Sequence, residues 1–267
     1  ESTLANDAGD NFYDIFIFYD KLSAEHRELL AEQAAKHPNA AITFFNVGRY
    51  INGEILYSRA HYSKEMYYRL RIPDLLGHYE KALYLDCDLL IEGDVGELWK
   101  QDVRGFLLGA VRNYLSWTMT KYVTDILKLD AADYFNSGVL LLDLEACRRF
   151  GLKEKCLAKL GDFDKLVCPD QDLLNLCCRG KVMFLDMRWN VMWQHLLRPF
   201  AFRGNLSVRQ AADYELARQN PLIIHYTTNY KPWNYPGNIW ADKWWRCAVK
   251  TPFYPGIVYG YVCKNEI

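Results

Sequence analysis

The chain has 267 residues, 51% of them hydrophobic, with 32 Lys plus Arg against 33 Asp plus Glu and a formal net charge of −1. That composition is globular and excludes a disordered, collagen-like or coiled-coil chain. A charge so near zero also argues against a nucleic-acid binder held by phosphate contacts, which needs a basic field, so no nucleic-acid partner is expected. The length suits one large α/β domain, or one domain with an appendage. No run approaches the roughly 20 apolar residues that span a bilayer. None of the eight cysteines forms a C-x-x-C pair, and they read as reduced, mostly buried thiols of a cytosolic protein.

In chain order, Ser2 to Asn6 reads as the end of a helix, so the start of the chain is expected to continue something upstream. Residues 6–11 are a turn cluster, and 13–19, β-branched and aromatic, predict a strand. Ser23 can cap a helix to about Lys36, stopped by His37-Pro38-Asn39. A second strand over 41–47 completes a strand–helix–strand unit with parallel pairing. Residues 62–76 predict a helix, 81–86 a short apolar strand, and 106–111 and 138–142 two more. A helix is expected over 145–160. Pro169 opens another of about three turns that Gly180 closes. Strands at 182–185 and 222–225 complete a mostly parallel α/β sheet. From residue 187 the pattern loosens, and the tail 240–250, with Lys243, Trp244, Trp245, Arg246 and Lys250, reads as a packed helix or as a membrane-surface patch.

Chemistry concentrates at a few of these boundaries. Asp86 and Asp88 stand two apart at the end of Ala82-Leu83-Tyr84-Leu85, where a strand's alternation puts both carboxylates on one side. Ligands of open α/β sheets bind at the carboxyl ends of strands. Two neighbouring carboxylates repel unless a cation sits between them, and oxygen ligands favour magnesium or manganese. A strand end followed by an Asx turn accounts for the same residues without a metal. Asp170-Gln171-Asp172 follows Pro169, where acidic residues also complement a helix dipole. His225 ends an apolar strand, and an imidazole can join two carboxylates on a borderline metal such as manganese. Lys231 can meet a phosphate as a point charge. Arg69 in a helix reads otherwise as a surface ion pair, and Asn136 before Ser137-Gly138 as a turn residue.

Together the blocks Tyr67-Tyr68-Arg69-Leu70, Ala82 to Asp88, Tyr134-Phe135-Asn136-Ser137-Gly138, Asp170-Gln171-Asp172-Leu173-Leu174-Asn175 and His225-Tyr226 with Lys231-Pro232-Trp233 resemble glycosyltransferase family 8. The bacterial lipopolysaccharide galactosyl- and glucosyltransferases carry the nearest likeness. The resemblance implies a GT-A fold, a Rossmann-like α/β arrangement with a mixed, mostly parallel sheet flanked by helices. Residues 1–233 would be the catalytic domain and 234–267 a looser extension. It implies a retaining hexosyltransferase with a UDP-sugar donor and a glycan or glycolipid acceptor. The setting would be cytoplasmic, with the tail as a peripheral membrane contact. By the same resemblance Asp86, Asp88 and His225 hold a divalent metal, manganese or else magnesium. Lys231 contacts the donor diphosphate, and Arg69, Asn136 and Asp170 hold the donor sugar. Gln171 stands beside the anomeric carbon, and Asn113 meets the acceptor.

Two departures accompany the likeness. Thr228 occupies a position where the family usually has Gly, which lets backbone approach phosphate. The strand at 13–19 sits where the family's second strand belongs, so the first strand and its base-binding loop are expected upstream. Two other readings use the same residues. One is a nucleotide-sugar-binding module without transfer. The other is a metal-dependent phosphohydrolase with Asp86 as phosphoryl acceptor, although Leu90 stands where its pattern needs Thr or Val.

Overall fold

The structure is a computed structural model describing residues 1–9, 11–48, 64–163, 166–192 and 207–265. Its contacts group the chain into two compact units. One comprises Glu1–Tyr68, Leu90–Gly96 and Tyr226–Ile267, the other Arg69–Leu89 and Glu97–His225.

The first unit opens with a one-turn helix α1 (Ser2–Ala5). Strand β1 (Tyr13–Tyr19) and strand β2 (Ala40–Asn46) pair in parallel, Tyr13 opposite Ala40 and Tyr19 opposite Asn46. Between them helix α2 (Ala24–Ala35) starts where the Ser23 hydroxyl accepts the His26 N–H at 3.1 Å. That cap satisfies one of the orphan donors of the first turn. The expected helix over 62–76 is a 3-10 helix, Lys64–Arg71, running into a short α-turn, Ile72–Leu75. Positions 62 and 63 of that expectation, and Asp10 of the turn cluster, lie outside the described residues.

The second unit is built on a four-stranded sheet. Strand β3 (Lys81–Leu85) pairs antiparallel with β5 (Phe135–Asp143), which pairs antiparallel with β4 (Leu108–Arg112). Strand β6 (Val182–Phe184) lies parallel to β4 on the far edge. Three of the four strands therefore share a direction, with β5 running against them. From Phe135 to Leu142 strand β5 is buried without alternation, as a strand covered on both faces must be. Its register against β4 slips: Ala110 faces Leu140, but Val111 faces Asn136, leaving Ser137, Gly138 and Val139 unopposed on that side. Such a bulge bends the strand and re-aims its side chains.

The helix expected over 145–160 is two helices, α3 (Leu144–Phe150) and α4 (Leu152–Lys159). Gly151 breaks them apart at φ +66°, the left-handed conformation that ends helices. Helix α5 (Pro169–Cys177) begins with Pro169 in its first turn, where a missing N–H costs nothing. It ends at Cys177, three residues before the expected Gly180, whose φ of +71° turns the chain afterwards. Strand β7 (Val191–Met192) pairs in parallel with β8 (Ile223–His225). Between them lies helix α6 (Val208–Gln219), started by a capping box of Ser207 and Gln210.

The first unit's remaining part carries helices α7 (Ala241–Ala248) and α8 (Tyr254–Asn265). The tail tryptophans pack on one another: Trp233 on Trp244 at 5.2 Å, Trp244 on Trp245 at 5.1 Å, and Trp245 on Tyr254 at 6.2 Å between ring centres. Lys243 pairs with Glu92.

Candidate active site

Strand β3 stops at Leu85, and its ladder is prolonged by one bond, from Asp86 N–H to the Gly138 carbonyl at 2.9 Å. Residues 87 and 88 form a turn. The two carboxylates thus converge through that turn rather than through the alternation of a strand. His225, at the end of β8 and 2% exposed, closes the group. Its Nε2 lies 3.2 Å from Asp88 Oδ1 and 3.7 Å from Asp86 Oδ2. One ligand atom from each of the three residues falls within 4.8 Å of the others, so Asp86, Asp88 and His225 can hold a metal ion.

Gly138 makes room for this meeting. A Cβ there would fall 2.3 Å from His225 Cε1 and 2.8 Å from Asp86 Oδ2. No side chain fits, which explains glycine at the centre of the β5 bulge.

Arg69 is buried against Asp86 and Asp170. Its Nη2 donates to Asp86 Oδ1 at 2.9 Å, its Nε faces Asp170 Oδ2 at 3.1 Å, and its Nη1 donates to the Ser137 carbonyl and hydroxyl at 2.6 and 2.7 Å. The guanidinium also lies over the Tyr84 ring at 4.7 Å, and the Tyr84 hydroxyl donates to Asp86 Oδ1 at 2.6 Å. Burial works to lower the Arg69 pKa, but the charges of Asp170 and Asp86 outweigh it, and the net shift is upward. Burial raises the pKa of Asp170, with Arg69 opposing it. Asp86 and Asp170 on the guanidinium, with Asp88 close by, leave an excess of negative charge, and a divalent cation offsets such an excess. The donor set, hard oxygens plus one imidazole, fits such an ion.

Helix α5 delivers the other polar residues. Asp172 accepts the Cys168 N–H at 2.9 Å, which is the capping role open to an acidic residue in a first turn. It also accepts the Tyr134 hydroxyl at 2.5 Å and the Tyr122 hydroxyl at 2.8 Å. Burial raises the pKa of Asp172 despite those bonds, and raises that of Tyr134 well above its usual value. Gln171 donates from Nε2 to Tyr134 Oη at 3.0 Å and accepts at Oε1 from Asn136 Nδ2 at 3.0 Å and Ser137 N–H at 3.2 Å. Asn136 accepts at Oδ1 from Gly138 N–H at 2.9 Å and from Asn190 Nδ2 at 2.8 Å. Asn190 Oδ1 lies 2.9 Å from His225 Nδ1.

Of the residues singled out in the sequence, Arg69, Asp86, Asp88, Asn136, Asp170, Gln171 and His225 therefore come together in one unit. Asn113 follows β4 and is tied by its N–H to the Tyr134 carbonyl at 2.8 Å. Lys231 belongs to the other unit, where its Nζ donates to the Tyr226 carbonyl at 2.5 Å. Thr228 adopts φ +72°, a conformation glycine enters freely and a β-branched residue resists. Sequence reasoning gave no role to Tyr84, Ser137 or Asn190. Asn190 sits in the loosely patterned stretch after 187, 54 residues from its partner Asn136, and no spacing announces it.

The sequence pattern described as "Glycosyl transferase family 8" matches residues 1–237. A lipopolysaccharide 1,2-glucosyltransferase of Escherichia coli (strain K12) is 31% identical over 194 residues, covering 71% of this chain and 55% of that protein. The apo structure of the bifunctional glycosyltransferase WbbM superposes with a TM-score of 0.83 at 26% identity, covering 97% of this chain and 48% of that one. The galactosyltransferase LgtC, solved with donor and acceptor sugar analogs, gives 0.76 at 23% identity and covers 94% of this chain and 89% of that one. The chain thus spans about half the length of the first two. The shared fold is GT-A.

Proposed function

The chain belongs to glycosyl transferase family 8, and from that premise we propose that it is a metal-dependent retaining hexosyltransferase. Its donor is a UDP-hexose, galactose or glucose, and its acceptor a hydroxyl of a glycan or glycolipid in bacterial lipopolysaccharide or other cell-envelope polysaccharide. Residues 1–233 form the catalytic part and 234–267 the extension. The setting is the cytoplasm, with the Trp- and Lys/Arg-bearing tail touching the inner face of the membrane. Among the described residues no helix is long and apolar enough to cross a membrane.

The observation that carries this reading is the meeting of Asp86, Asp88 and His225 beside Arg69, Asp170, Asn136 and Gln171. The three ligands hold a divalent ion, manganese in this proposal, which when bound supplies Lewis-acid stabilisation of the charge that builds on the leaving diphosphate. Lys231, by the likeness to the family, is the proposed contact for the donor diphosphate. Arg69 fixes Asp86 and Asp170 relative to each other, so the carboxylate that meets sugar hydroxyls is pre-set against the one that holds the ion. Gln171, with its amide oxygen taken by Asn136 and Ser137, presents a fixed face to the anomeric carbon. An amide is a poor nucleophile, so the acceptor oxygen attacks from the leaving-group side. The anomeric C–O bond to the diphosphate breaks, the new C–O bond forms, and the acceptor's proton passes to the departing phosphate oxygen. Shelter from water favours transfer over hydrolysis.

The test is Asp88→Ala. UDP release in the presence of manganese should fall by about a hundredfold or more, because the metal's ligands act as a unit, while far-UV circular dichroism stays native. Release at the unaltered rate would remove the metal assignment. A panel of nucleotide sugars, read by thermal shift with and without manganese, identifies the donor.

A further inference from the structure

The amides between His225 and Gln171 can each be written in two orientations, since oxygen and nitrogen exchange places on a half-turn. Two backbone N–H groups, which cannot exchange, decide the matter. Ser137 N–H points at Gln171 Oε1 at 3.2 Å, so that atom is an acceptor and Asn136 must offer it Nδ2. Gly138 N–H points at Asn136 Oδ1 at 2.9 Å, which fixes the same orientation independently. Asn190 then has to give its Nδ2 to Asn136 Oδ1, and its Oδ1 is left facing His225 Nδ1 at 2.9 Å. An oxygen there requires a proton on Nδ1. The ring's Nε2 is then the atom turned to Asp86 and Asp88, and it can offer its lone pair to an ion.

The bonds also share one direction. His225 donates to Asn190, Asn190 to Asn136, Asn136 to Gln171, Gln171 to Tyr134, and Tyr134 to Asp172. Asn190, Asn136, Gln171 and Asp172 are all buried, at 1, 8, 6 and 0% exposure, so the chain is shielded from competing water. Donors aligned head to tail in a poorly polarisable interior strengthen one another.

We propose that Asn190 is a positioning residue that joins the two halves of the site: one end holds the His225 ring with Nδ1 protonated and Nε2 directed at the carboxylates, and the other locks Asn136 against Gln171. Residues that hold a metal-ligating imidazole from behind fix its tautomer and orientation. The inference rests on the metal reading of Asp86, Asp88 and His225.

The full chain is titrated with manganese alone, by calorimetry. Asn190→Leu, which keeps the bulk and loses both polar ends, should bind manganese about 10- to 100-fold more weakly than the wild type. Asn190→Asp keeps an oxygen for Nδ1–H and should stay within about threefold of the wild type by the same rule. Having no donor for Asn136, however, it should lose about tenfold in kcat with little change in donor KM, as expected when transition-state positioning is lost rather than binding. Wild-type affinity in Asn190→Leu, or wild-type kcat in Asn190→Asp, overturns the proposal. Should the leucine variant not fold, the ring still decides. In the metal-free wild-type protein, nitrogen-15 spectra should show a proton on His225 Nδ1, and a neutral ring with its proton on Nε2 alone sinks the idea. Asp88→Ala separates the two claims. If it binds manganese as tightly as the wild type, the metal reading itself fails; if it loses binding while Asn190→Leu does not, only the role of Asn190 fails.

Discussion

His225 and Asp86 occupy the space where any other residue at position 138 would place its Cβ. Gly138→Ala should therefore weaken manganese binding about as much as loss of a supporting residue does, 10- to 100-fold. Calorimetry measures it, with circular dichroism as the control for folding. Asp172 offers a pH prediction. Burial raises its folded-state pKa above the ordinary 3.8, with the hydroxyls of Tyr134 and Tyr122 working the other way. The folded state thus holds the proton more tightly than the unfolded state. Its contribution to stability is complete below 3.8 and is lost as pH rises through the raised value. Asp172→Asn has no such proton, so its urea midpoint should gain on that of the wild type as pH climbs from about 4 toward neutrality. A constant difference would show that Asp172 titrates alike in both states.

Two glycine-related positions test the elements. Thr228 at φ +72° carries the strain of a β-branched side chain in the left-handed region, partly held by Tyr230 N–H to its hydroxyl at 3.4 Å. Thr228→Gly relieves that strain and adds freedom to the unfolded chain, and the balance should favour the variant by about 1 kcal/mol in urea unfolding. Gly151, at φ +66°, ends α3 and begins α4. Gly151→Ala should cost about 1–2 kcal/mol, read from the same midpoint. These elements also show which signals are local. The strand Tyr13–Tyr19 and the Ser23-capped helix were legible because their cues lie within a few residues. Helix α6 was not, since Val208–Gln219 buries only Tyr214 and Ala217 and so has a faint apolar face, although Ser207 and Gln210 spelled out its capping box. The break at Gly151 was hidden because an isolated glycine inside a helical pattern is often tolerated.

At the scale of the molecule, the metal, sugar and diphosphate candidates were legible as blocks of adjacent residues whose order matches a family. What joins them was not. Asn136 meets Asn190 across 54 residues and Gln171 across 35, and side-chain amides at such separations leave no period to read. The bulge of β5 was equally invisible, because it exists only against β4. If the three ligands act together in the folded chain, manganese at about 100 times its Kd should raise stability by about 2.7 kcal/mol. That gain, read by thermal or urea unfolding, should vanish in Asp88→Ala.

The unit that carries the site begins at Arg69 and ends at His225. On the ribosome, the arginine and the acidic pair leave early, and the imidazole that would complete the proposed ion's cradle leaves last of the three candidate ligands. If the three residues hold an ion together, a nascent polypeptide halted anywhere before position 225 would carry Asp86 and Asp88 and still lack the third ligand. On the metal reading, ion binding is thereby deferred until the whole of this unit has been synthesised.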